Sequence, residues 1–199
     1  EGTQAYLARC VPAAQLLEML PEDLAGFLLA FLDLPEGDID AHLADRCAEG
    51  VFPVAALQAV ERANGAWGAK SGLACADMIA AWLSGSEVQR AEGLADLLGL
   101  LLTKEGEVKN RANKNLLEAE PDYVDLASAC GAAIKALLDL RKQAAFARTA
   151  AQGLTAGRAY ARAYAKAKRQ AGAVDFDDLI GRASALLTQP GMADWIRYK

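Results

Sequence analysis

The chain has 199 residues, enough for one or two domains and for a real hydrophobic core. It is 53% hydrophobic and 24% charged with only 6 Pro, which excludes disordered, collagenous and low-complexity classes. The net charge of -5 is unevenly spread: -10 over residues 1–103, +6 over 104–169 and -1 over 170–199.

Ala and Leu dominate the apolar content and aromatics make up only 7%. Both lead the helix propensity scale, whereas strands want β-branched and aromatic residues, so the composition predicts an all-α fold. Cys10, Cys47, Cys75 and Cys130 stand far apart with no C-x-x-C pair, and His42 is the single histidine. No zinc ligand set can be assembled from them, and the expectation is free thiols in a reducing, cytoplasmic compartment. The apolar runs Leu24 to Leu34 and Leu94 to Leu102 fall far short of the roughly 20 residues a spanning helix needs. Neither a membrane segment nor a signal peptide is expected.

Helix signals follow one another along the chain. Pro21-Glu22-Asp23 opens the run Leu24 to Leu32 with a proline and two acids, where the helix dipole favours negative charge. Asp38 is placed to cap a segment ending at Gly50, Pro53 opens the next to Gly65, and Gly72 to Leu83 follows. Ser86-Glu87-Val88-Gln89 is a capping-box pattern heading a helix through Leu102. These elements predict an acidic helical bundle over 1–103. The stretch 104–121 is polar and Asn-rich, a loop or a small hairpin turning at Glu105-Gly106. A long basic helix is predicted over 122–170, with a bend at Gly153 and Gly157 and an apolar row through Phe146, Tyr160 and Tyr164. Further helices occupy 171–199.

Visible catalytic chemistry is missing from this pattern. A phosphate loop needs two glycines four residues apart, the second followed by Lys and Ser or Thr, so that amides wrap the phosphates and the lysine reaches them. Gly68-Ala69-Lys70-Ser71 fails, because the required glycine positions hold Asn64 and Ala69. There is no Gly-x-Ser-x-Gly elbow, no histidine dyad and no carboxylate–histidine metal set, so no catalytic or metal-binding residue is assigned.

The most unusual local feature is Arg141 to Arg169, with eight basic residues and no acidic one. Arg141, Arg148, Arg162, Lys166 and Arg169 follow at spacings of seven, fourteen, four and three, which align on one helical face. With Arg158 they form a candidate DNA-binding ridge, suited to phosphate contacts without sequence preference. The alternative is a solvated helix face, or one that docks a partner protein.

Near the C-terminal end come Tyr164-Ala165-Lys166-Ala167-Lys168, Val174-Asp175-Phe176-Asp177-Asp178-Leu179-Ile180, Ala185-Leu186-Leu187 and Trp195-Ile196-Arg197-Tyr198-Lys199. Locally, Asp175 is an N-cap with Asp177 and Asp178 in the first turn of an amphipathic helix. The string as a whole resembles the segment leading into the Walker B strand of UvrD-like superfamily 1 DNA helicases, most closely the AddA-type helicase-nucleases in their alphaproteobacterial form. Leu102-Thr103-Lys104-Glu105-Gly106 and the Ala-rich helix after Pro121 are similar to that family too, so the resemblance covers roughly 100–199. It implies the helical insertion of the first RecA-like domain, subdomain 1B, flanking the DNA path, in a parent enzyme with ATP, Mg2+ and an AddB-type partner subunit. It also implies an internal piece ending at Lys199 just before Walker B, with both Walker motifs outside it. Tyr164, Lys168, Asp175, Phe176, Asp177, Asp178 and Leu179 match the family's motif, and capping and packing account for them without chemistry. Because no phosphate loop is present, calorimetric titration of the chain with Mg2+ and ATP should show no heat of binding, and a micromolar Kd would overturn this account and return attention to Lys70 and Ser71.

Overall fold

The computed structural model describes residues 13–198, so Cys10 and Lys199 lie outside it. The described residues are helical: α1 (Ala13–Met19), α2 (Leu24–Phe31), α3 (Ile39–Arg46), α4 (Val54–Trp67), α5 (Lys70–Ser84) and α6 (Glu87–Glu92) come first. Then follow α7 (Leu94–Leu101), α8 (Lys114–Ala119), α9 (Tyr123–Ala171), α10 (Phe176–Leu187) and α11 (Met192–Arg197). Extended pairing among these residues is confined to two isolated bridges, Glu49 with Phe52 and Leu102 with Val108. The fold is therefore all-α with one long helix, as the composition predicts. None of the described helices is long and apolar enough to cross a membrane.

Two compact units divide the chain. Unit 1 takes the described residues up to Leu28 together with those from Ala147 onward, and unit 2 is Leu29–Phe146. This differs from the blocks drawn on composition, since α1 groups with the basic part of α9 and not with the acidic helices that follow it. Charge supplies a reason: the acidic N-terminal segment and the basic stretch attract, and α1 offers carbonyls that arginines can take.

In unit 2 the predicted caps form. Asp38 accepts from the Asp40 amide at the start of α3, and Ser86 and Gln89 close the capping box at α6. The Asn113 side chain accepts from the Asn115 and Leu116 amides at the start of α8, a short helix within the polar stretch 104–121. The predicted small hairpin is present: Gly106 has φ +85°, Thr103 N–H donates to Glu107 O at 2.8 Å, and Lys109 N–H to Leu101 O at 2.9 Å. Leu43, Leu57, Ile79, Leu94, Leu97, Leu101, Leu116 and Ile134 are fully buried and make the core. Asn64 is buried among them, its amide donating to Val60 O and to the Tyr123 hydroxyl, which removes the cost of an unpaired polar group.

Several boundaries move from their predicted places: α3 ends at Arg46 and not at Gly50, and α5 begins at Lys70 and not at Gly72. α4 continues through Gly65 and ends at Gly68, which takes the left-handed conformation (φ +67°) that glycine adopts without steric cost. The helix after Ser86 breaks at Gly93. There the Trp82 indole N–H donates at 2.9 Å to Arg90 O, the carbonyl that in an unbroken helix would accept from Leu94. The indole lies so close that a Cβ on Gly93 would stand 3.1 Å from its ring. α9 runs from Tyr123 to Ala171, within one residue of its predicted ends, and stays a single helix through Gly153 and Gly157.

Helices α4 and α5 approach most closely at Gly72. A Cβ there would lie 2.7 Å from Asn64 O and 2.7 Å from the Trp67 ring, and the backbone oxygen has no room to move away. Helix propensity alone favours Gly72→Ala by about 1 kcal/mol. Overpacking against backbone opposes it, so the substitution should instead lower stability by about 1–3 kcal/mol in denaturant unfolding.

Candidate functional site

The six ridge residues have separate environments. Arg141 lies in unit 2 and donates through Nη2 to Ala91 O at 2.9 Å, at the C-terminal end of α6. The other five belong to unit 1. Arg158 is only 8% exposed, which corrects its place on the outward ridge. Its Nε donates to Leu17 O at 3.0 Å and its Nη2 to Leu20 O at 3.0 Å and Pro21 O at 2.9 Å. All three acceptors are carbonyls in and just beyond the last turn of α1, which have no partner within that helix. Arg158 thus clamps α1 to α9, with Nε and Nη2 committed to carbonyls and the side chain withdrawn from the surface.

Arg162 is exposed but pairs side-on with Glu18, Nε to Oε1 at 2.8 Å and Nη2 to Oε2 at 2.6 Å. Arg148, Lys166 and Arg169 are exposed, and their side chains make no hydrogen bond or ion pair to a described residue. Arg148 shares an open cleft with Glu22, Asp23, Gln152 and Thr155, while Arg169 lies beside Glu18 and Arg162. An acidic segment therefore borders the cationic face on one side.

The motif residues assemble at the turn from α9 into α10. Gly172 (φ +62°) ends α9 in a Schellman arrangement, with Ala173 N–H donating to Lys168 O at 3.0 Å and Gly172 N–H to Arg169 O at 3.3 Å. Three residues on, Asp175 and Asp178 form a capping box: Asp178 N–H donates to Asp175 Oδ1 at 3.0 Å, and Asp175 N–H to Asp178 Oδ2 at 3.1 Å. Two facing carboxylates would repel. Lys168 Nζ bridges them, at 2.9 Å from Asp175 Oδ2 and 2.7 Å from Asp178 Oδ2. Tyr164, one turn before Lys168, donates its hydroxyl to Asp175 Oδ2 at 3.1 Å. Tyr-x-x-x-Lys and Asp-x-x-Asp thus become one latch. Phe176, Asp177 and Leu179 stay outside it and exposed.

The electrostatics follow from these contacts. The Lys168 ammonium, with the Asp178 amide in support, holds the Asp175 carboxyl down at about 2. The same ammonium lowers Asp178, and the two carboxylates raise Lys168. The Asp175 carboxylate raises the Tyr164 phenol by accepting its hydrogen bond.

Tyr160 and Tyr164 were expected in an apolar row with Phe146, yet all three are exposed, Tyr160 by 70% and Tyr164 by 45%. The two tyrosine rings stack with centroids 6.0 Å apart and planes 9° from parallel, and Lys168 Nζ stands 4.9 Å from the Tyr164 centroid. The sequence signal was available in the i, i+4 spacing of two aromatics, but only the fold decides whether such a pair faces a core.

A phosphate loop does not form at Lys70 and Ser71. α4 and α5 are joined by Gly68 and Ala69 alone, so Lys70 and Ser71 open α5 with no loop ahead of them to wrap phosphates. Cys47 and Cys130 are buried free thiols and Cys75 is half-buried, and burial pushes all three upward, Cys130 to about 11. They are poor nucleophiles at neutral pH. Among the described residues no three His, Cys, Asp or Glu side chains gather as a metal site would require. No family model, no curated protein and no solved structure matches this chain.

The latch carries a pH signature. Asp175 is depressed in the folded state, so its contribution is fully present above its ordinary value near 3.8 and is lost as the pH falls toward about 2. Asp175→Asn keeps a capping oxygen and loses the charge. Its melting temperature, followed by circular dichroism, should lie below that of the unaltered chain at pH 7, with the gap closing between about pH 4 and pH 2. A gap independent of pH would remove the ion pair from the account.

Proposed function

We propose that this chain is a DNA-facing accessory subdomain of an ATP-dependent DNA helicase-nuclease of the AddA type, acting in double-strand break repair. ATP, Mg2+ and the exonuclease chemistry belong to other parts of that parent, and this chain contributes contact to the phosphate backbone. The observation that carries the reading is the set Arg148, Lys166 and Arg169, three exposed cations of α9 that no described residue pairs. Exposed cations that no described side chain pairs are available to a polyanion, with Glu22 and Asp23 bordering Arg148 and Glu18 bordering Arg169. The latch supports the resemblance from another side, since four motif residues meet in one hydrogen-bonded unit.

A second reading has its own observation. α10 buries none of its residues, and Phe176, Leu179, Ile180, Leu186 and Leu187 are all exposed. An apolar face of this kind beside charges suits a scaffold that docks a protein, such as an AddB-type subunit, with no contact to DNA.

Salt dependence separates the two. Converting Arg148, Lys166 and Arg169 together to Glu should weaken binding of a single-stranded oligonucleotide about equally for all sequences. The slope of log affinity against log salt should flatten by about two, at about 0.7 per lost phosphate contact. A slope unchanged by the triple substitution would favour the docking scaffold.

A further inference from the structure

Three features of unit 1 remain unused by that reading: the apolar face of α10, the cleft at Arg148 and the tyrosine column on α9. Nothing on α10 shows what covers it, and the cleft is bordered by Glu22 and Asp23, which offset its one arginine. The tyrosine column has a more definite chemistry.

Lys168, Tyr164 and Tyr160 follow at intervals of four residues, so they stand one above another along one side of α9. The Lys168 ammonium lies 4.9 Å from the Tyr164 centroid, and the Tyr160 ring stacks near-parallel with that of Tyr164. Among the described residues no ring or cation stands against the far face of Tyr160, and the ring is 70% exposed. One turn further toward the N-terminus stand Ala156, exposed, and Gly157, where an added Cβ would lie 3.7 Å from Leu17 Cδ1, and two turns on stands Gly153, where an added Cβ would meet nothing within 4 Å. Space for a flat ring is therefore open on that face. Tyr164 is also held from its other end, since its hydroxyl donates to Asp175. A stack built on an anchored ring is already ordered, and a ligand joining it loses less freedom on binding.

Lys166 lies six residues beyond Tyr160, about 9 Å along α9 and about 120° around its axis, with the exposed Ala159 and Ala163 on the strip of surface between them. A planar aromatic surface beside a cation, separated by a strip of small side chains, matches the alternation of base and phosphate along an unpaired strand. A duplex hides its base faces and cannot use the ring.

We propose that Tyr160 is a base-stacking platform, on which one unpaired base of single-stranded DNA stacks while Lys166 takes a neighbouring phosphate. This rests on the DNA-facing reading and names its substrate as single strand. It needs no sequence preference, because every base has a π-face.

The test compares an oligothymidylate, an abasic strand of equal length and a duplex by fluorescence anisotropy. The unaltered chain should bind the oligothymidylate more tightly than the abasic strand. Tyr160→Ala should lose roughly five- to a hundredfold on the oligothymidylate and nothing on the abasic strand or the duplex, with its salt slope unchanged. Tyr160→Phe should restore the affinity, and Tyr160→Leu, which keeps apolar bulk without a ring face, should behave as the Ala variant does. If Tyr160→Ala binds the oligothymidylate normally while the triple charge reversal still flattens the slope, stacking is refuted and the phosphate contacts stand. If no DNA binds at low salt, both readings fall, and the face is left to a protein partner.

Discussion

Short helices end in carbonyls that nothing inside the helix can satisfy, and much of this protein is arranged around supplying donors to them. Each helix leaves its last four C=O groups without a partner, and here many helices are two turns long, so the unpaired groups are a large share of the backbone. Arginines from elsewhere in the chain meet that need. Arg90 reaches Cys47 O beyond the end of α3 and Leu83 O in the last turn of α5, while its guanidinium lies 5.5 Å from the Trp82 ring. Arg141 takes Ala91 O, Arg158 takes three carbonyls at the end of α1, and Lys109 takes Gly99 O in α7. A cation at a helix C-terminus also meets the negative end of the dipole, so charge and hydrogen bonding act in the same direction.

That arrangement decides which basic residues remain for an external anion. A cation committed to two or three carbonyls in a shielded place cannot also hold a phosphate. Arg158 is withdrawn in this way, Arg141 gives one donor to Ala91 O, Arg162 is paired at the surface, and Lys168 is taken by the Asp175–Asp178 box. What looks like a continuous basic ridge becomes a smaller set, Arg148, Lys166 and Arg169, beside an exposed aromatic column. Under the proposed DNA-facing role, fewer cations and a ring face favour a strand whose bases are open over a charge-recognised duplex.

The latch at the α9–α10 turn joins the two themes. It uses a lysine to neutralise a pair of carboxylates that cap a helix, and the same lysine covers a tyrosine ring. One side chain thereby orients the chain reversal and braces the tyrosine stack, which ties the exposed surface of α9 to the integrity of the turn that follows it.

The sequence by itself determined the helical class, the long α9, the hairpin at Gly106 and the caps at Asp38, Ser86 and Asp175. These are local matters: a capping side chain finds its amide within three residues, and Ala and Leu favour the helix wherever they stand. The tertiary structure alone decided that α1 groups with the basic part of α9, that Trp82 breaks the helix at Gly93, and that Arg158 is buried while Lys166 is not. Helical periodicity puts Arg148, Arg158, Arg162 and Lys166 on neighbouring positions of one side, but it carries no information about what packs there. Leu17 O and Arg158 are separated by 141 residues in the chain, and a hydrogen bond over that distance exists only once the intervening helices have closed the loop between them.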